Sequence, residues 1–226
     1  MKSSLLDLLT KADFNEKHDH LILAGDMISK GPDSKGVVDL AMKVGASAVR
    51  GNHEDRVLKA ADMMHKGGKD IEDVNEKDRK LVEELGEKRL RWLKERPVIL
   101  KVGEIEEMGN VVVVHAGLAP GVELKKQDPG LVMNMRTIGK DGPSEEREGR
   151  AWMKAWNKYQ EGLRRKERTT VVYGHDSKRG LRVERWSLGI DTGCLKGGEL
   201  TGVLVEGGKK GKGYKIVQVG CKDGKE

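Results

Sequence analysis

Apolar positions along the chain change their period several times. Leu5, Leu6, Leu8, Leu9 and Ala12 form a stripe at helical spacing, with Ser4 and Asp7 at the separation of a capping box. The aliphatic run Leu21–Ala24 then reads as a buried strand. Gly31-Pro32-Asp33-Ser34 punctuates the chain before a second helix over Val37–Val44, capped by Asp33 or Ser34. Ser47–Val49 predicts another short strand, and Asn52 opens a helix that runs to about Met64 and stops at Gly67-Gly68. Residues 70–96 are densely charged, but Leu81, Val82, Leu85, Leu90 and Leu93 keep a helical period up to Pro97. That block reads as a helical insertion of about residues 66–97.

Farther on, Val98–Val102 and Val111–Val114 predict paired strands joined by a turn at Met108-Gly109-Asn110. Residues 120–149 carry turn residues and few regular patterns, so they read as a long functional loop. A helix over Ala151–Leu163 places Trp152 and Trp156 on one face, and Thr169–Tyr173 is the next strand. Leu188–Asp191, Leu200–Val205 and Tyr214–Val219 close the chain as meandering strands, with a hairpin tip at 207–213 and a frayed tail from Lys222. The order predicts one α/β domain over residues 1–226, a two-sheet sandwich flanked by helices. A helix leading into a buried strand is normally the crossover of a βαβ unit, so a first strand is expected before Met1, where none is present.

Composition narrows the function classes. Charged residues make up 35% of the 226 residues, 43 basic against 37 acidic, and the excess of +6 is spread along the chain. That suits a solvated surface and an anionic substrate better than a nucleic-acid track. Four Trp, three Tyr and one Phe supply few stacking platforms for single strands. Cys194 and Cys221 form no CxxC pair and read as two thiols, Cys194 as a small core residue, in a reducing, cytoplasmic setting. No apolar run approaches the length of a membrane span.

The candidate chemistry lies where apolar runs end. Leu21–Ala24 gives way to Gly25-Asp26, Ala48-Val49 to Arg50-Gly51-Asn52-His53-Glu54, Val111–Val114 to His115, and Val171-Val172-Tyr173 to Gly174-His175. Functional groups in α/β sheets gather just past the carboxyl ends of strands. Asp26, Asn52, His115 and His175 can therefore converge on one divalent cation, as a mixed nitrogen and oxygen set. His18 and His20 read as turn residues, His65 as a helix-end residue, Asp191 and Thr192 as a strand-end turn, and Glu54 as a hydrogen-bond partner of its loop.

Asp26 followed by Gly31-Pro32, Gly51-Asn52-His53-Glu54, His115-Ala116-Gly117-Leu118, Gly174-His175-Asp176 and Gly189-Ile190-Asp191-Thr192-Gly193-Cys194 together resemble the calcineurin-like metallophosphoesterases. The likeness covers essentially the whole chain and is greatest to symmetrical diadenosine tetraphosphatases and fungal zinc-dependent endopolyphosphatases. It implies the αββα fold of that family and a pair of divalent ions (Zn, Mn, Co or Fe). Asp26 would bridge the two, with Asn52, His115 and His175 completing one shell. It further implies in-line attack by a metal-bound hydroxide, with His53 as leaving-group acid, and Lys30 and Arg50 binding phosphoryl oxygens; Arg136 is a weaker candidate for the same task.

Two departures from the family pattern matter. Ser29 stands where phosphoprotein phosphatases of this superfamily carry an Asp that orients the histidine, and Lys30 stands for an Arg. The family's first motif, Gly-Asp-x-His-Gly, is absent ahead of the first helix, so this chain is expected to hold one ion well and to be impaired in hydrolysis. Polyphosphate is the first expected substrate; dinucleoside tetraphosphate or a capped RNA end is the alternative, and a non-catalytic single-metal relic the other. A vacuolar location would follow if an amino-terminal anchor has been lost.

Overall fold

A computed structural model of the chain describes residues 2–67, 72–205 and 213–221. Gly68, the expected hairpin tip up to residue 212 and the tail from Lys222 lie outside these residues. In chain order the elements are α1 (Lys2–Lys11), β1 (Ile22–Leu23), α2 (Ser34–Lys43), β2 (Ser47–Ala48), α3 (Asn52–Lys66) and α4 (Glu76–Lys94). Next come β3 (Ile99–Ile105), β4 (Gly109–Val114), α5 (Pro129–Asn134), β5 (Thr137–Gly139), β6 (Gly142–Ser144), β7 (Arg150–Ala151) and α6 (Trp152–Glu161). The chain closes with β8 (Thr169–Tyr173), β9 (Arg182–Glu184), β10 (Ser187–Gly189), β11 (Glu199–Leu204) and β12 (Lys215–Gly220).

A five-stranded sheet in the order β3-β4-β8-β10-β9 forms one layer. Val111 to Val114 are all buried, because β4 lies between β3 and the parallel β8 and both its faces are covered. Val112 and Val114 join Val171, Tyr173, Trp152 and Trp156 beneath α6. Trp152 packs edge-on against both Trp156 and Tyr173, as their shared helix face predicts. Val111 and Val113 point the other way, toward Val49 and Leu188, with Ile22, Ala24 and Val203 of a second strand layer. That layer holds the parallel pair β1–β2 and the hairpin β11–β12. Leu5, Val37, Val38, Val57, Leu85 and Leu93 of α1 to α4 cover its outer face. Helix, sheet, strand layer and helices therefore stack in the expected αββα order. Each fully buried aliphatic side chain here contributes about 1.5–3 kcal/mol.

Several local expectations need correction. Helix α1 is already running at Lys2, so Ser4 is a buried helical residue rather than a cap. Strand β1 is only two residues long, and Ile22 and Leu23 are half-buried. Among the described residues β1 pairs with β2 alone, and a strand with one neighbour keeps one side open. The stretch 120–149 is not a structureless loop. It contains α5, whose cap Asp128 accepts a bond from the Leu131 N–H, and the small sheet β6-β5-β7. Cys194 and Cys221 are not two thiols; they are disulfide-bonded, with Cα atoms 5.2 Å apart.

Other readings agree with the structure. Asp33 is the N-cap of α2, accepting a bond from the Gly36 N–H at 2.7 Å. The charged block becomes α4, kinked at Gly86, whose φ is 66°. No helix among the described residues is long and apolar enough to cross a membrane.

Candidate metal centre

Asp26 follows β1 through a turn in which both Gly25 (φ 86°) and Asp26 (φ 54°) are left-handed. His175 follows β8 in the same unusual region, at φ 70°. Backbone strain at two candidate ligands marks positions held by surrounding contacts rather than by local preference.

Glu54 supplies those contacts on the Asp26 side. Its fully buried carboxylate accepts N–H bonds from Asp26 and Gly51 on Oε2, both at 2.8 Å, and from Met27 (2.7 Å) and Ile28 (3.3 Å) on Oε1. The loop after β1 is thereby stapled to the start of α3, which carries Asn52 and His53. Burial, with Asp26 nearby, pushes the Glu54 carboxyl up to about 7, against the pull of the N–H donors and of His115. Gly51, the N-cap of α3, has no room for a side chain. A Cβ there would lie 2.3 Å from Asp26 Oδ1 and 2.9 Å from His115 Cε1.

Three of the predicted ligands come together directly: Asp26, His115 and His175 each offer an atom within 4.8 Å of the others. Asn52 joins them, its Oδ1 accepting from His115 Nε2 at 3.1 Å. His115 Nε2 is also 3.3 Å from Asp26 Oδ1, while Nδ1 donates to the Ala24 carbonyl at 2.8 Å. His175 Nε2 donates to the Asn134 carbonyl at 3.1 Å, leaving Nδ1 as its lone-pair nitrogen. Carbonyl partners of this kind orient histidine ligands in metal sites. One carboxylate, one amide oxygen and two imidazoles fit a borderline divalent ion such as zinc or manganese.

Charge is tightly balanced around Asp26. Burial raises its pKa, but the His115 and His53 imidazoles more than offset this and hold the carboxyl well below the usual carboxylate range. Burial pulls His115 down, yet Asp26, the Ala24 carbonyl and Glu54 leave it raised. Burial, His115 and Arg136 push His175 down to about 3. In the metal-free centre Asp26 therefore favours the protonated form of His115, and His175 beside it is held neutral above about pH 3.

A pH dependence follows with opposite signs for two quantities. Without metal, the raised His115 contributes folding stability fully present below its unfolded pKa of about 6.5 and lost as pH rises through the folded value. Metal affinity runs the other way, because the ion must displace the Nε2 proton. We expect Mn2+ affinity to fall by up to about tenfold per pH unit below the His115 pKa, a slope of one proton per ion. His175 adds nothing to that slope until pH approaches about 3. Calorimetric titration from pH 5 to 8 measures it, and a flat profile would remove His115 from the shell.

His53 is buried beside this cluster. Its N–H donates to Asp26 Oδ1 at 3.1 Å, and Nε2 approaches Asp26 Oδ2 to 3.7 Å. Burial, with Lys30 and Arg56, lowers its pKa, and Asp26 offsets this only in part. The approach is therefore a contact of a neutral ring. Lys30 is exposed but near enough for its charge to act on His53. Among the described residues the buried Nε of Arg50 has no hydrogen-bond partner, nor does that of Arg136. Arg136 Nη1 donates to the Glu145 carbonyl at 2.8 Å, and its charge reaches His175. The structure thus brings Asp26, Asn52, His53, His115 and His175 together, with Lys30 and Arg136 within electrostatic reach, while Arg50 makes no side-chain hydrogen bond or ion pair with them among the described residues.

Sequence reasoning missed two charged groupings here. Arg56 bonds Asp78 of α4 through Nε and Nη2 and also donates to Ser29 Oγ at 2.8 Å, tying the helical insertion to the loop that carries Lys30. Asp176, next to His175, pairs with Arg147 and Arg179. Arg56 with Asp78 and Asp176 with Arg147 are too distant in sequence to signal one another, whereas Arg179 lies only three residues after Asp176. The remaining histidines and polar residues behave as expected: His20 pairs with Ser47 Oγ, and Asp191 accepts the Gly193 N–H.

Comparison with known proteins gives a consistent set of relatives. The family model for calcineurin-like phosphoesterases matches residues 2–204. A zinc-dependent endopolyphosphatase of Saccharomyces cerevisiae is 30% identical over 89% of this chain and 72% of its own length. A symmetrical bis(5'-nucleosyl)-tetraphosphatase of Buchnera aphidicola is 32% identical, over 50% of this chain and 39% of its own length. The Dechloromonas aromatica protein of the same name is 28% identical over 90% and 88%. A solved structure assigned as a diadenosine tetraphosphatase superposes with a TM-score of 0.76 at 30% identity, covering 97% of this chain and 88% of that one.

Proposed function

The chain belongs to the calcineurin-like phosphoesterases, and on that premise we propose that it hydrolyses phosphoanhydride bonds, with inorganic polyphosphate as the first substrate. The observation that carries this reading is the convergence of Asp26, Asn52, His115 and His175 with His53 at their side. A bound divalent ion (Zn, Mn, Co or Fe) would supply Lewis-acid polarisation of a phosphoryl oxygen. Asp26, Asn52, His115 and His175 would hold it. Lys30 and Arg50, with Arg136, would offset the charge of the phosphoryl group. His53 would give a proton to the departing oxygen. Anionic phosphate beside it raises its affinity for that proton, against the lowering that burial, Lys30 and Arg56 impose.

Polyphosphate is placed ahead of dinucleoside tetraphosphate and capped RNA on sequence identity, 30% to the yeast endopolyphosphatase over 89% of the chain against 28% to the Dechloromonas tetraphosphatase over 90%. Phosphoproteins rank last. Ser29, occupied by Arg56, provides no carboxylate to orient His53. The Cys194–Cys221 bond fits an oxidising compartment better than the expected cytoplasm.

Product analysis tests the assignment. Purified protein with Mn2+ or Zn2+ is expected to shorten long polyphosphate, whereas a tetraphosphatase would release two identical nucleoside diphosphates. Release of phosphate from phosphopeptides, with both anhydrides intact, would overturn it. A second reading, a non-catalytic protein holding one ion, is favoured by there being one metal-competent cluster among the described residues. Turnover of either anhydride excludes it.

A further inference from the structure

Asp176 is 7% exposed, and its carboxylate is met by two guanidinium groups. Arg147 Nη2 donates to Oδ1 at 2.7 Å and Nη1 to Oδ2 at 3.2 Å, while Arg179 Nε donates to Oδ2 at 2.9 Å. Two guanidinium groups share this one carboxylate, and Glu145, Glu146 and Glu148 flank Arg147 in the chain. Both arginines are partly open to solvent, at 42% and 27% side-chain exposure. The terminal nitrogens of Arg179 make no hydrogen bond to the described residues.

Arg147 is also presented on a pinned backbone. Thr137 Oγ1 donates to the carbonyls on either side of it, Glu146 at 2.8 Å and Glu148 at 2.9 Å. Arg136 holds the Glu145 carbonyl. Arg179 is set by the turn in which its N–H donates to the Asp176 carbonyl. Asp176 immediately follows His175, so the two Cα atoms are about 3.8 Å apart. A phosphoryl group at the metal centre would be met by Lys30, Arg50 and Arg136. Arg147 and Arg179 are tied to the residue that follows His175, and their planar forks suit phosphate oxygens.

We propose that Asp176 is a positioning residue that sets Arg147 and Arg179 as an outer phosphate clamp, selecting extended polyphosphate chains over a single phosphate group. The assignment rests on the phosphoanhydride reading above. Calorimetry on the full chain with inorganic tripolyphosphate and with orthophosphate tests it. The paired substitution Arg147→Met with Arg179→Met is expected to weaken tripolyphosphate binding by ~10-fold, about 1.4 kcal/mol, and orthophosphate binding by less than about twofold. In turnover, KM for polyphosphate should rise while kcat for p-nitrophenyl phosphate stays level, and Arg147→Lys should restore part of the loss. The double variant leaves Asp176 unpaired and lowers the melting temperature in either case, so selectivity decides: equal weakening of tripolyphosphate and orthophosphate would overturn the proposal. If the unaltered chain binds tripolyphosphate and the double variant binds it as tightly, the clamp falls while the phosphoanhydride reading stands. If the unaltered chain binds neither phosphate, that reading falls and the clamp with it.

Discussion

Asp26→Ala is expected to cut hydrolysis of both polyphosphate and p-nitrophenyl phosphate by roughly a thousandfold or more. The side chain has three tasks that no neighbour can assume. It is the carboxylate in the cluster with His115 and His175, it accepts the His53 backbone N–H, and it strengthens the hold of His115 on its proton in the metal-free centre. Several kcal/mol of transition-state stabilisation depend on an ion held in place, and each 1.36 kcal/mol is about tenfold in rate. Asp26→Asn separates the tasks, since its amide oxygen can still accept from His53 but its charge is gone. Steady-state rates, with metal content measured on the same samples, decide the matter. Rates within tenfold of the unaltered chain would place the ion elsewhere.

Glu54→Ala is expected to be the most destabilising single change in the centre. Four backbone N–H groups, from Asp26, Met27, Ile28 and Gly51, would lose their acceptor. A buried donor without a partner costs about 1–3 kcal/mol. Even with partial relaxation the total is about 4 kcal/mol, a large share of the 5–15 kcal/mol that holds a typical domain together. The loop carrying Asp26 would separate from the start of α3, so metal affinity should fall with stability. Glu54→Gln should lie between, because one of its two polar atoms is a donor facing donors. Denaturant midpoints report the loss, and an unchanged midpoint would mean that water replaces the carboxylate at no cost.

What could be read in the sequence follows from how locally each feature is determined. The convergence of Asp26, Asn52, His115 and His175 was legible because each lies within three residues of the end of an apolar run, and the ends of β1, β2, β4 and β8 meet across the two strand layers. Glu54 was legible as a loop partner because it sits two residues after Asn52. The half-open state of Ile22 and Leu23 was not, since burial of a strand depends on its neighbours and not on its own side chains. Strands β5 to β7 are two or three residues each, too short for alternation to register. The Asp176–Arg147 pair spans 29 residues and begins in the stretch 120–149, which reads as a long functional loop with no pattern that picks out a partner. The pairing of Cys194 with Cys221 is similarly non-local and depends on the hairpin that folds between them.

That bond turns the end of the chain into a covalent ring. Residues 194 and 221 are separated by 27 positions, and closing a loop of that size removes about 3–4 kcal/mol worth of freedom from the unfolded chain. The ring encloses β11 and β12, which α1 grips through Lys11 Nζ on the Gln218 carbonyl. Thiol reductants are customary in buffers for metal-dependent enzymes, and here they would cut the ring while leaving every metal-binding side chain chemically intact. A sample kept in reductant and one kept without it are different polymers, one linear and one looped. Their melting curves should separate even where their metal content agrees.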